Sequence, residues 1–428
     1  MSWVKKVLMI GTASILALML SSPLFTVRAG FLDLFSSNQT TTPLDKLSWQ
    51  LHIEPENRLF PSYILAASTR APLEATASDT PEIASGSLII GEAVGPISIT
   101  FTVPAASLPV RLLVTGKAVM EDSVLETILP SPHQQIRLKP KILWKYPSLL
   151  EVRQAVPTDI SAELWIGKQY LGRQTRTVKL HTINDCPFTF EENGEFTDTW
   201  WMYAAYVNEN HPLVDSLLKE AFAQKIVAQF DAYQSGDPKE VYRQIYAIWH
   251  LLYTKGIHYS SLTGSSDNAE KVGSQFVRFL DESMSVNQAN CVDGSVLFAS
   301  ILRKIGIDPF LVMTPDHMWI GFYLDEDRAS KRFIETTQLG GLNEDEEAVD
   351  TELYHFFGEE YAERPSWQNF ISAVRAGRDL YTENRNEIEA GESNHGVVDI
   401  EEARAMGVLP IAFTRQPPVS PSDPPSGR

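Results

Sequence analysis

Hydrophobic and polar positions alternate along the first half of the chain, then change to helical spacing. Between Ser48 and Asn184 the runs SLIIGEA, ISITFTV, VRLLVTG and AELWIGK are short and are separated by Pro and Gly. Period-two alternation gives a strand one buried and one solvated face, so each run predicts a β-strand. Trp165-Ile166-Gly167-Lys168-Gln169-Tyr170 predicts a hairpin turn, followed by the alternating TRTVKLHTI. Several short strands at this spacing predict a β-sandwich-like domain over residues 48–184.

Past residue 184 the period lengthens. Pro212 opens HPLVDSLLKEAFAQKIVAQF, whose apolar residues Leu213, Leu217, Ala221, Ile226 and Phe230 predict one helix through that stretch. A second helix is predicted after Asp237, an N-cap residue followed by Pro238 in the first turn and Glu240 at the capping-box position. Its Tyr242, Ile245, Trp249 and Leu252 share a face, Gly256 stops it, and its His250 reads as structural. NCVDGSVLFASILRKIG predicts a third helix, with Val296, Leu297, Ile301, Leu302 and Ile305 as a buried stripe and Gly306 as its end. Strand texture returns at PFLVM, HMWIGFYL and RFIETT. Helices leading into a small antiparallel sheet predict an α+β domain over residues 185–345. A fragment of residues 185–342 is expected to fold alone. Residues 346–428 form an acidic extension with helices predicted near 367–376 and 400–406. Its final QPPVSPSDPPSGR is too rich in Pro and Ser to build a core.

Charge and the N-terminus narrow the setting. The chain has 428 residues, with 36 basic against 54 acidic and a net charge of -18. At that length two or three domains are expected. The acidic balance argues against nucleic acid as a partner, because phosphate binding needs a clustered positive field. Lys5 and Lys6 precede the apolar run VLMIGTASILALML, and small residues follow up to Val27-Arg28-Ala29. That order predicts a signal peptide over residues 1–29, a mature chain from Gly30, and a periplasmic or extracellular location. The competing reading is an uncleaved membrane anchor, for which the run is short. Residues 30–47 read as a polar linker.

Two cysteines, Cys186 and Cys291, invite the plain reading of a single structural disulfide in an exported protein. The surroundings of Cys291 compete with it. Cys291 falls in the first turn of its helix, behind Asn290 as a potential N-cap. Unpaired N–H groups and the positive end of the helix dipole lie there; both favour thiolate and suit an oxyanion. Asp293 opposes this unless it caps the helix or points away. His317 opens the strand HMWIGFYL after the turn TPD, on the face opposite Met318, Ile320, Phe322 and Leu324, where a cleft is expected. A reversal near residues 326–328 brings Glu335 opposite or diagonal to His317, where a carboxylate would hold the imidazole and stabilise its cation. Taken singly, each has a bland reading: a packed thiol, a surface imidazole, a solvated carboxylate. Their order forms one mechanism.

Cys291-Val-Asp-Gly-Ser-Val-Leu, Leu302-Arg303-Lys304-Ile305-Gly306-Ile307, His317-Met318-Trp319 and Ile334-Glu335-Thr336-Thr337, with the preceding Gly256-Ile-His-Tyr259, together resemble the transglutaminase-like core. The resemblance covers roughly residues 190–340. It implies a papain-like fold, a Cys–His–acid site of Cys291, His317 and Glu335, acyl-enzyme chemistry on a peptide or protein substrate, and no obligatory metal or cofactor. Water as acceptor makes a peptidase or amidase, the reading favoured for an exported protein. A primary amine makes a cross-linking transferase, and a scaffold without catalysis makes a binding protein. Glu335 stands where the family usually has Asp, and the Cys–His interval is compact.

Overall fold

In a computed structural model, residues 44–70, 83–84, 87–92, 95–192, 195–261, 265–268, 271–341, 350–392 and 394–411 are described. The expected signal peptide, most of the linker and the Pro/Ser-rich tail lie outside the described residues. The fold is mixed α+β. Among the described residues no helix is long and apolar enough to cross a membrane.

The alternating runs of the first half build two five-stranded sheets. One is ordered Trp49–Ile53, Ile97–Thr102, Gln135–Lys139, Ser87–Gly91, Ile83–Ala84; the other Arg58–Leu59, Gln169–Leu180, Val156–Ile166, Pro109–Thr115, Ser123–Ile128. Leu51, Ile99 and Leu138 from the first sheet and Leu112, Ile160 and Leu164 from the second lie in one buried cluster. The hairpin turn falls at Gly167-Lys168, with Ile166 paired to Gln169. Gly167 has φ 61°, the left-handed conformation that a two-residue turn demands.

Selected elements of the second half are numbered from its start. Helix α1 (Pro212–Ala223) is shorter than its apolar spacing predicts. The step from Ala221 to Ile226 is too long for one helical face. Instead the chain turns at Lys225 (φ 57°) and buries Ile226 and Val227 from a loop. Helix α2 (Pro238–Thr254) starts where Asp237 accepts from the Lys239 N–H at 2.9 Å and ends before Gly256, φ 73°. Helix α3 (Cys291–Lys304) and helix α4 (Pro365–Glu383) complete the helical layer. Strands β1 (Asp185–Glu192) and β2 (Val272–Phe276) pair antiparallel. A four-stranded antiparallel sheet has the order β5 (Lys331–Ile334), β4 (His317–Tyr323), β3 (Pro309–Thr314), β6 (Gly396–Asp399).

Helix α3 packs with Met318, Ile320 and Phe322, so that face of β4 is the main core. The opposite face is not an open cleft. Phe310, Val312, Trp319, Tyr323 and Phe333 form a second buried cluster there, covered by Leu380, Tyr381 and Ile388. Only the His317 end of that face stays partly open. The two halves of the chain are tied together: Ser62, on the helix Pro61–Thr69, donates to the Asp185 carbonyl at 2.5 Å, and Tyr206 donates to the Ile183 carbonyl at 2.9 Å.

Candidate functional site

Cys291 occupies the first position of α3. The Asn290 side chain accepts from the Asp293 N–H at 2.8 Å, and the Asp293 carboxylate accepts from the Asn290 N–H at 3.3 Å, a reciprocal capping box. Asp293 is therefore a cap, turned inward. It also accepts from the Arg278 N–H at 2.8 Å and pairs with the Arg278 guanidinium at 3.0 Å. Burial pushes its carboxyl above the usual range, against the pull of these donors. Its charge is thus engaged away from the thiol. The first two amides of the helix, those of Cys291 and Val292, have no carbonyl within the helix to pair with.

His317 comes to the thiol because Thr314 and His317 pair across a two-residue turn at the end of the β3–β4 hairpin. Its Nε2 donates to Glu335 Oε2 at 2.6 Å, which leaves Nδ1 for the Cys291 thiol, the ring's other hydrogen-bond partner. Glu335 is 2% exposed, and its second oxygen accepts from the Thr337 N–H at 2.8 Å. Both carboxylate oxygens are thus fixed. Burial lowers the affinity of His317 for its proton, but the hydrogen bonds to Cys291 and Glu335 outweigh it and push its pKa up to about 10. The Trp319 ring stacks on the imidazole, with centroids 5.9 Å apart. So the three residues singled out in the sequence meet as one hydrogen-bonded row. A thiol, an imidazole and a buried carboxylate in this order can generate a nucleophile and shuttle its proton.

Two glycines allow the approach. A Cβ on Gly294 would lie 2.8 Å from Thr336 Oγ1 and 3.1 Å from Thr336 Cβ, so the bare glycine lets α3 seat against the segment after Glu335. A Cβ on Gly377 would lie 2.8 Å from the Ile334 nitrogen and 3.0 Å from the Glu335 nitrogen. Gly294→Ala gains up to about 1 kcal/mol of helix propensity, which offsets part of its steric cost. We expect its melting temperature to change little while Cys291 reactivity falls as Thr336 pushes Glu335 away. Gly377→Ala meets backbone that has no room to move and should lose about 1–3 kcal/mol in a urea titration.

The row opens into a cleft of about 410 Å³, walled by Phe188, Trp200, Tyr203 and Tyr259 and also lined by Gln275, Asp316 and Asn394. Burial, then the nearness of Cys186 and Cys291, pushes the Tyr203 hydroxyl well above its usual range, so it stays a neutral donor. The sequence reading singled out none of these as site residues, although Tyr259 belongs to the Gly256-Ile-His-Tyr259 segment. They come from distant elements, and only the aromatic density of WWMYAAY hints at a wall. Cys186 and Cys291 are both free thiols, Cys186 fully buried in the core. Among the described residues no group of three His, Cys, Asp or Glu is placed to hold a metal. No family model and no curated protein matches the chain.

Proposed function

We propose that this chain is an exported cysteine hydrolase of the transglutaminase-like, papain-like kind that cleaves peptide or amide bonds through a thioester. The observation that carries the reading is the His317 ring held between the Cys291 thiol and a buried Glu335 whose two oxygens are both fixed. The Cys291 sulfur, its proton passed to His317, attacks the carbonyl carbon. The carbonyl oxygen gains the charge and faces the unpaired first-turn amides of α3. His317 returns the proton to the leaving nitrogen, the C–N bond breaks, and a thioester remains. Water then attacks, giving His317 one proton; the acid leaves and the thiol recovers that proton. The paired sheets of the first half support a β-sandwich accessory domain. Export rests on the N-terminal sequence alone.

The test is alkylation by iodoacetamide with peptide mapping of the unreduced protein. His317 keeps its proton until the pH rises through about 10, so at mildly acidic and neutral pH a positive charge sits beside the sulfur. Such a charge is expected to help the sulfur attack the reagent. Cys186 has no access to solvent, and burial pushes its thiol well up. Cys291 lines the cleft, so it should label about 100-fold faster than Cys186 or more. His317→Ala should lower that rate at pH 6 about tenfold or more. Equal labelling of the two cysteines sinks the proposal.

A further inference from the structure

We propose that the amine half of the substrate carries a positive charge, an ammonium or guanidinium group held beside Asp316; this rests on the reading of Cys291 as nucleophile and His317 as proton donor. His317 must reach the nitrogen it protonates, so the amine half of the amide lies along the His317 wall of the cleft. The residue before His317 in that wall is Asp316, exposed in the two-residue turn between β3 and β4. Among the described residues lining the cleft none is Lys or Arg. Apart from the Cys291–His317 pair and the tyrosines, the described residues of the lining therefore offer one charge, and it is negative. The cleft is also lined by Phe188, Trp200, Tyr203 and Tyr259, aromatic residues of the kind whose ring faces attract cations. The whole chain, at -18, adds a field of the same sign. A carboxylate on the amine half would be repelled by each of these; a cation is drawn by each. The same side of the cleft would receive an incoming amine, so the charge preference holds whether water or an amine takes the acyl group.

Three methanethiosulfonates test this without knowledge of the substrate. They share one leaving group and differ in charge: methyl (neutral), 2-aminoethyl (cationic) and 2-sulfonatoethyl (anionic). The modification rate of Cys291 is followed by peptide mass. The cationic reagent should outpace the anionic one. Asp316→Asn should lower the cation-to-anion ratio about threefold, the scale of an exposed charge pair. Asp316→Lys should lower it further, and about 1 M salt should compress all the differences. A ratio that is the same in the wild type and both variants overturns the proposal, while normal neutral reactivity leaves the nucleophile standing. If Cys291 is inert to all three reagents, the nucleophile reading fails and this inference fails with it.

Discussion

Glu335→Gln is expected to lower amide turnover by about 10²–10⁴-fold, while Glu335→Asp keeps part of the activity that Gln loses. The reason is a count of donors. Two N–H groups, from His317 Nε2 and Thr337, each meet their own carboxylate oxygen at 2.6 and 2.8 Å. A Gln side chain offers one acceptor oxygen and one NH₂ group. If its oxygen serves Thr337, the NH₂ faces Nε2, which must then accept; the imidazole proton moves to Nδ1 and points at the sulfur. If its oxygen serves His317, the NH₂ faces the Thr337 N–H, and a buried donor loses its partner at about 1–3 kcal/mol. Either way the negative charge that supports the imidazolium is gone. Asp keeps the charge and both acceptors and loses one methylene of reach. Cys291→Ala and His317→Ala should each remove at least about 10⁴ in turnover, with no additive loss in the double variant, because the pair acts as a unit. Turnover is read as amine release from a peptide-amide library, with each variant's fold checked by circular dichroism. Equal rates for the Gln and Asp variants would count directly against the role given to Glu335.

The charge state of His317 also leaves a mark on stability. Its pKa rises from 6.5 to about 10 on folding, so the folded chain holds that proton more tightly than the unfolded one. The stabilisation is fully present below about 6.5 and is lost as pH rises through about 10. The stability gap between the wild type and His317→Ala should narrow over that interval.

Much of this arrangement is legible in local pattern. Asp237-Pro238 and Asn290 mark helix starts because a cap needs only residues within three positions of itself. The β4–β5 reversal is legible too: Ile320 pairs with Ile334, and continuing that register puts Glu335 across from Trp319, one diagonal step from His317. Alternation along β4 is less informative, because both faces of that strand are covered and Trp319 is as buried as Ile320. The covering residues, Leu380, Tyr381 and Ile388, lie far along the chain and leave no period to read. The cleft walls fail for the same reason. Trp200 is held where Gly396 lacks a side chain, with the Trp200 ring 2.6 Å from where a Cβ would lie, and no local spacing encodes such a contact.

Residues 185–342, which the strand and helix texture predicts to fold alone, are expected to lack a cooperative unfolding transition. That fragment omits α4, whose Trp367, Phe370 and Val374 are buried in the same core as α2 and α3. Trp367 meets the Tyr246 ring at 4.7 Å, and the Trp249 indole donates to Asn369 at 3.1 Å. Removing α4 would expose Tyr246, Trp249 and Ile334, among others, each worth about 1.5–3 kcal/mol when buried. Several such losses match the whole stability of an ordinary domain, about 5–15 kcal/mol. The site itself depends on the missing helix, since the Glu335 N–H donates to the Ala373 carbonyl at 2.9 Å. Omitting β6 also leaves β3 as a bare edge, because residues 310–313 pair with 396–399. A chain of residues 44–411 restores every one of these contacts. It should unfold in one transition in urea and label Cys291 at the full-length rate, whereas 185–342 should show a broad, non-cooperative change and rapid proteolysis. A sharp transition in the short fragment, with Cys291 labelling intact, would mean that α4 and β6 decorate a core already complete without them.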